Sequence, residues 1–99
     1  MGIVSFRNKG TEDINEGMAS KAARRLLPLE FHRKAQVKLA RLGAATSMKD
    51  FREIQGNRLE ALKGDRQGQY SIRINDQYRI CFKWCDEHAL DVEIVDYHS

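Results

Sequence analysis

Residues 59–84, 59-LEALKGDRQGQYSIRINDQYRICFKW-84, carry the pattern from which the fold is read. Apolar residues recur at every second position, first Tyr70, Ile72 and Ile74, then Tyr78, Ile80, Phe82 and Trp84. That is the two-residue period of a half-buried strand, and it appears twice. Asn75-Asp76 lies between the two runs and reads as a two-residue turn, so the stretch is expected to form a β-hairpin. One face of the hairpin is core. The other carries Ser71, Arg73, Arg79, Cys81 and Lys83, with the cations at strand spacing. Just upstream, Lys63 and Arg66 sit in a loop whose Gly64 and Gly68 permit close backbone approach.

Working outward, strands are expected at 59–62, 70–74, 78–84 and 89–95, and a β-prone run at 3–6 reads as an added edge strand. A short helix is expected over 11–18, capped by Thr11 and followed by acids. Residues 19–25 are small, basic and aperiodic, as in a linking segment. The main helix should start near Pro28, the sole proline, and stop near Gly43. Phe31, Ala35, Leu39 and Leu42 form its core stripe, with Lys34, Lys38 and Arg41 as a basic ridge beside it. That ridge suits phosphate or an acidic partner peptide, and equally the wet side of an amphipathic helix. Thr46 and Ser47 can cap a third helix contacted through Met48, Phe51 and Ile54, which residues 55–58 with Gly56 would end. Helices first and a meander of antiparallel strands afterwards make a single α+β domain over 1–99.

The totals of 99 residues, 41% hydrophobic and 31% charged, suit one soluble globular domain. No apolar run is long enough to span a membrane, and the N-terminus lacks the charged start and long apolar run of a signal peptide, so a cytoplasmic protein is expected. Gly2 does not open a myristoylation motif, because the sixth residue is Phe6. Cys81 and Cys85 would close only a trivial disulfide loop, and with His88 they give three ligands at best for a zinc site. A packed cysteine and a turn cysteine are expected instead, with no cofactor and no metal. Net charge is +3, made of +6 over residues 1–58 (12 cations, 6 acids) and −3 over residues 59–99 (5 and 8). A polyanion such as RNA fits this balance, and so does an ordinary solvated surface.

The chain ends Asp96-Tyr97-His98-Ser99, which puts a titratable imidazole and a phenol on the last strand, next to the cationic hairpin face. RNA can be cut without a metal when its own 2′-hydroxyl attacks the neighbouring phosphate, since the substrate supplies the nucleophile. A histidine suits either proton transfer, an arginine suits the phosphate oxygens, and a tyrosine can stack on a base. The bland alternatives are an Arg79–Asp96 ion pair, a core Tyr97 and a frayed His98. His32, among charged neighbours, receives no functional role.

The segment from Leu62 through Phe82, with the terminal Val-Glu-Ile-Val-Asp-Tyr-His, resembles the HigB toxins, the plasmid maintenance killer branch of the RelE superfamily, and its chromosomal GraT-type members in particular. The likeness is dense from residue 56 to 98 and weak from 2 to 27. It implies a RelE-like microbial RNase fold and a metal-independent, ribosome-dependent mRNA endonuclease. It also implies a HigA-like helix-turn-helix antitoxin and, through that complex, operator DNA. Matched residue by residue, Lys63, Asp96, Tyr97 and His98 fall on the family's active-site positions, Arg79 on the arginine of the superfamily's Tyr-Arg strand motif, and Arg73 on a basic position. Arg66, Lys83, Lys34 and Lys38 are the further candidates for RNA contact. Two departures stand out: Glu60 replaces a histidine of some relatives, so that a carboxylate would have to serve as base or His98 would act with less help, and Ser71 replaces a lysine of RelE. The competing readings are a non-catalytic ribosome binder and a ParE-like gyrase inhibitor, the latter lacking the Asp-Tyr-His ending.

Overall fold

The computed structural model describes residues 2–49 and 59–96. Its elements run β1 (Gly2–Ile3), α1 (Lys9–Asn15), α2 (Lys21–Leu26), a 3₁₀ turn (Leu29–Phe31), α3 (His32–Ala44), β2 (Glu60–Ala61), a second 3₁₀ turn (Gly64–Arg66), β3 (Gln69–Arg73), β4 (Tyr78–Cys85) and β5 (His88–Asp96). The strands form one sheet in the order β1-β5-β4-β3-β2, antiparallel except where β1 joins β5 in parallel. The third helix expected after Ser47, with Phe51, Ile54 and Gly56, falls mostly outside the described residues. Met48 lies within them and packs on the core.

Alternation in β3 and β4 does what the sequence implies. Ile72, Ile74, Tyr78, Ile80 and Phe82 form the core face of the sheet, and Ile14, Ala23, Leu27, Ala35, Leu39 and Leu42 meet them from the helices. Each such Ile, Leu or Phe stabilises the fold by about 1.5–3 kcal/mol relative to exposure. Phe31 and Tyr78 pack ring to ring at 6.2 Å, joining the start of α3 to β4. His32, at the first position of α3, is buried, and its Nε2–H donates to the Leu27 carbonyl at 2.8 Å. Its role is to tie the end of α2 to the start of α3.

The N-terminal helices differ from expectation in two ways. The cap of α1 is Asn8, whose side chain accepts from the Thr11 amide at 2.9 Å, and the helix therefore starts earlier. Thr11 is fully buried instead, and its hydroxyl accepts from the Ile94 amide at 3.1 Å, bonding α1 to β5. Residues 19–25 are not a linker: Ser20 caps α2, and Ala23 is a core residue. Six residues are too few to display a helical period, whereas alanine and arginine favour helix strongly. The two helices lie close because Gly10 carries no side chain; a Cβ there would stand 2.9 Å from the Ala22 carbonyl oxygen. Asp13 joins their ends, accepting from the Ser20 hydroxyl at 2.6 Å and facing the Lys9 ammonium at 3.1 Å.

The turns are exchanged relative to the sequence reading. The β3–β4 connection is a three-residue loop closed by Ile74 N–H to the Tyr78 carbonyl, and the Asn75 side chain accepts from Gln77 and Tyr78 amides. A two-residue turn of the favoured type requires left-handed backbone at both positions, and no residue of this loop adopts it. The two-residue turn occurs at the next connection, where Asp86 (φ 50°) and Glu87 (φ 67°) are both left-handed and Cys85 pairs with His88.

Strand β5 contains a bulge. Cys81 pairs with Glu93 but Lys83 pairs with Leu90, so β5 has one residue more than β4 across this span. Asp91 takes the left-handed position (φ 51°), and its amide donates to the Ser5 hydroxyl at 2.9 Å. The bulge changes the phase of the strand: Ala89, Val92 and Ile94 all reach the core, which strict alternation forbids. Among the described residues no helix is long and apolar enough to cross a membrane.

Candidate active site

The sheet face turned away from the helices is organised by register. Glu60, Ser71, Cys81 and Glu93 stand in one row across four strands; Arg73, Arg79 and Val95 form the next row, and Gln69, Lys83 and Leu90 another. Side chains in a row share a face. The middle of this face is dry, since Ser71 and Cys81 are fully buried and Arg79 is only 7% exposed.

Arg79 is the best-defined group of the site. Its Nε–H donates to the Ser71 hydroxyl at 2.7 Å, and Nη2 donates to the Ser71 carbonyl at 3.3 Å. Nη1 lies 3.9 Å from the half-exposed Glu60 carboxylate. A guanidinium cannot discharge itself by losing a proton, so burial leaves a fixed positive charge in surroundings where its field is poorly screened. Such a charge suits an anion developing on phosphate.

The remaining cations of the face are countered rather than bare. Arg66 donates to Glu93 at 3.0 Å and to Gln69 at 3.2 Å, while Arg7 approaches the same Glu93 oxygen at 4.0 Å. Lys83 faces Asp91 at 3.3 Å, and Arg73 pairs with Asp76. The sequence suggested an uncompensated cationic surface; the fold brings acids from β5 and from the β3–β4 loop against it. Lys63 differs, being exposed and in no ion pair among the described residues, at the cap of the Gly64–Arg66 turn. Beneath these groups burial pushes the Cys81 thiol above its ordinary range, Arg66 and Arg79 opposing and Glu93 reinforcing. Cys81 and Cys85 are both free thiols.

The basic ridge of α3 divides. Lys34 and Arg41 are exposed, whereas Lys38 is buried to 9% exposure. Burial, followed by the charges of Arg41, Lys34 and Arg73, holds the Lys38 ammonium below the usual lysine range. The hairpin's Arg73 is thus among the cations near Lys38.

At the far end of β5, Asp96 is exposed and accepts from Gln77 at 3.1 Å. Its register partner is Tyr78, a residue of the helix-side face, so Asp96 stands one position out of phase with Arg79. Tyr97 and His98 lie outside the described residues. The fold thus brings together Glu60, Arg79, Arg73, Arg66 and Lys83 on one face. Sequence reasoning passed over the partners that hold these cations, Gln69, Asp76, Asp91 and Glu93, the sharing of Glu93 with Arg7, and Ser71's grip on Arg79. Alternation signals which residues share a strand face, but not which residue of the next strand stands opposite, and the β5 bulge removes even that cue.

Compared with solved structures, the chain aligns over its full length with the full length of the matched chain in two structures of the YoeB–YefM complex from Staphylococcus aureus, at a TM-score of 0.59 and 18% identity. Helices on one side of a small, mainly antiparallel sheet with this order make it a RelE-like fold. Residues 5–98 match the model of the RelE-like toxin of type II toxin–antitoxin system HigB. The chain is 38% identical over 88 residues to Toxin HigB-1 of Vibrio cholerae serotype O1 (89% of this chain, 90% of that one). It is 29% identical over 96 residues to Endoribonuclease HigB of Proteus vulgaris (97% and 99%). The protein belongs to the HigB family of RelE-like toxins.

Proposed function

We propose that this toxin is a metal-independent endoribonuclease that cuts mRNA on the ribosome. The observation that carries the reading is the buried Arg79 guanidinium, held by Ser71 on the sheet face turned away from the helices, in a family that includes a relative named as an endoribonuclease. The substrate's 2′-hydroxyl attacks the adjacent phosphorus, its proton passes to a base, the P–O5′ bond breaks, and the departing 5′-oxygen receives a proton. Arg79 and Lys63 stabilise the phosphorane oxygens as charge builds on them. His98 and Glu60 are the proton-transfer candidates, with Tyr97 and Asp96 beside His98 in the family motif.

The carboxylates that counter Arg66, Arg73 and Lys83 favour ribosome dependence. With few uncompensated cations the face holds free RNA weakly, and a ribosome that presents mRNA in fixed geometry supplies the orientation that can account for many powers of ten in rate. A HigA-like antitoxin is the proposed partner, with operator DNA reached through that complex and the cytoplasm as the place of action.

The test is to map mRNA 5′ ends after induction and to repeat the cleavage on ribosomes programmed with a defined message. Cuts within translated codons that require the ribosome support the reading. Growth inhibition with intact message overturns it in favour of ribosome occupancy without cutting.

A further inference from the structure

We propose that Arg7 and Arg66, which share Glu93, form a second phosphate subsite that holds an mRNA phosphate beside the one being cut. This rests on the reading of the sheet face as the surface that takes the message.

Arg7 reaches this face through its backbone. The chain around it runs beside β5: the Val92 amide donates to the Ser5 carbonyl at 3.0 Å, the Arg7 amide donates to the Val92 carbonyl at 2.9 Å, and Phe6 forms a parallel bridge with Val92. Phe6 packs on the core with Val92, so the next residue along turns to the opposite face, where Glu93 also lies. Ser5 anchors the segment further, since its hydroxyl accepts from the Asp91 amide at 2.9 Å. Arg7 therefore extends the row Glu60, Ser71, Cys81, Glu93 onto the far side of β5.

Arg66 arrives from the other side. It stands in the 3₁₀ turn before β3, and its Nη1 donates to Gln69 at 3.2 Å and to Glu93 Oε1 at 3.0 Å, so it bridges β3 and β5 across β4. Arg7 Nε lies 4.0 Å from the same Glu93 oxygen. Two guanidiniums that converge on one oxygen are close enough for a single phosphate to touch both, and with one carboxylate between them they keep one positive charge in excess. Arg7 is the looser partner: 4.0 Å exceeds a hydrogen bond, and its side chain is 55% exposed against 36% for Arg66. It can turn to a phosphate without breaking a hydrogen bond to Glu93. Glu93 itself is diagonal to Arg79, which pairs with Val95 two residues further along β5, a separation of about 7–8 Å. That is of the order of the step between neighbouring phosphates in a single strand, so the subsite lies beside the phosphate at Arg79.

The experiment uses the full-length toxin in two assays: fluorescence anisotropy over a range of salt with a short single-stranded RNA of 2′-O-methyl riboses, which cannot be cut, and single-turnover cleavage on programmed ribosomes. Wild type, Arg7→Gln, Arg7→Lys, Arg66→Gln, the double variant Arg7→Gln/Arg66→Gln and Arg79→Ala are compared. Arg7→Gln is expected to weaken RNA binding by about 3- to 10-fold and to lower the slope of log K against log salt by about 0.7, the value for one phosphate of a single strand. Arg7→Lys keeps the charge and most of the slope. The double variant loses no more slope than the single variants, since both arginines serve one phosphate. On ribosomes Arg7→Gln raises the half-saturating ribosome concentration by a similar factor and changes the saturated rate less than about 2-fold, because the residue holds substrate away from the reacting bonds.

Wild-type affinity and slope in Arg7→Gln overturn the subsite; if the wild type still cuts and Arg79→Ala does not, the reading of the face stands without it. A double variant whose slope falls by about 1.4 also overturns it, since that shows two independent phosphate contacts. A defect confined to ribosomes, with short RNA bound as before, places Arg7 against the ribosome and overturns it too. A wild type that leaves message intact removes the reading on which the subsite rests, and the proposal with it.

Discussion

Replacing Glu93 by glutamine tests whether the acids on the sheet face restrain RNA binding. Glu93 stands 3.0 Å from Arg66 and 4.0 Å from Arg7, and its side chain is 18% exposed. A phosphate oxygen that took over the Arg66 contact would lie about 5 Å from this carboxylate, a repulsion of about 3 kcal/mol at an effective dielectric of about 20. Arg66 is itself 36% exposed, so water and salt reduce the effect, and about 1–1.5 kcal/mol is a reasonable expectation. Glu93→Gln should then tighten binding of a short single-stranded RNA by roughly 5- to 12-fold. The assay is fluorescence anisotropy at several salt concentrations. Every further phosphate neutralised should steepen the slope of log K against log salt by about 0.7. Unchanged or weaker binding refutes the reasoning, and so does tighter binding with an unaltered salt slope, which would place the effect elsewhere.

Thr11→Val removes the acceptor for the Ile94 amide inside the core and should cost about 1–3 kcal/mol, read as a lower urea midpoint and faster exchange of that amide, while Thr11→Ser loses only a methyl. Glu87→Gly should stabilise the β4–β5 turn by relieving a left-handed cost of about 1–2 kcal/mol, part of which glycine's greater freedom when unfolded takes back. A thermal melt measures the net effect, and mRNA cleavage should be unaffected. Asp13 is held below the usual aspartate range, chiefly by the Ser20 hydroxyl and further by Lys9, with burial opposing. Its stabilising effect is therefore complete above the unfolded-state pKa of about 4 and is lost as pH falls through the depressed folded value. The melting-temperature gap between wild type and Asp13→Asn should shrink on acidification below that point. A gap that widens there would reverse the assignment.

Local chemistry determined a large part of this molecule. Alternation through Tyr70 to Trp84 set the central hairpin and the face that becomes core, and the spacing of Ala35, Leu39 and Leu42 set the buried side of α3. These patterns are legible because strand and helix periods depend only on neighbouring residues. The segment 19–25 was not, because a one-and-a-half-turn helix leaves too short a trace; it is Ser20 and the packing of Ala23 that make it one.

What only the tertiary structure decided is the state of the charges. Arg73, Arg79 and Lys83 can be placed on one face from the sequence, with Arg66 in the loop just upstream, but the Glu93 and Asp91 that counter Arg66 and Lys83 arrive from β5, in a register altered by the bulge at Asp91. Pairing between strands follows turn geometry and the closure of the core, which are properties of the whole chain. For the same reason Ser71 reads in sequence as a missing lysine and in the fold as the group that holds Arg79.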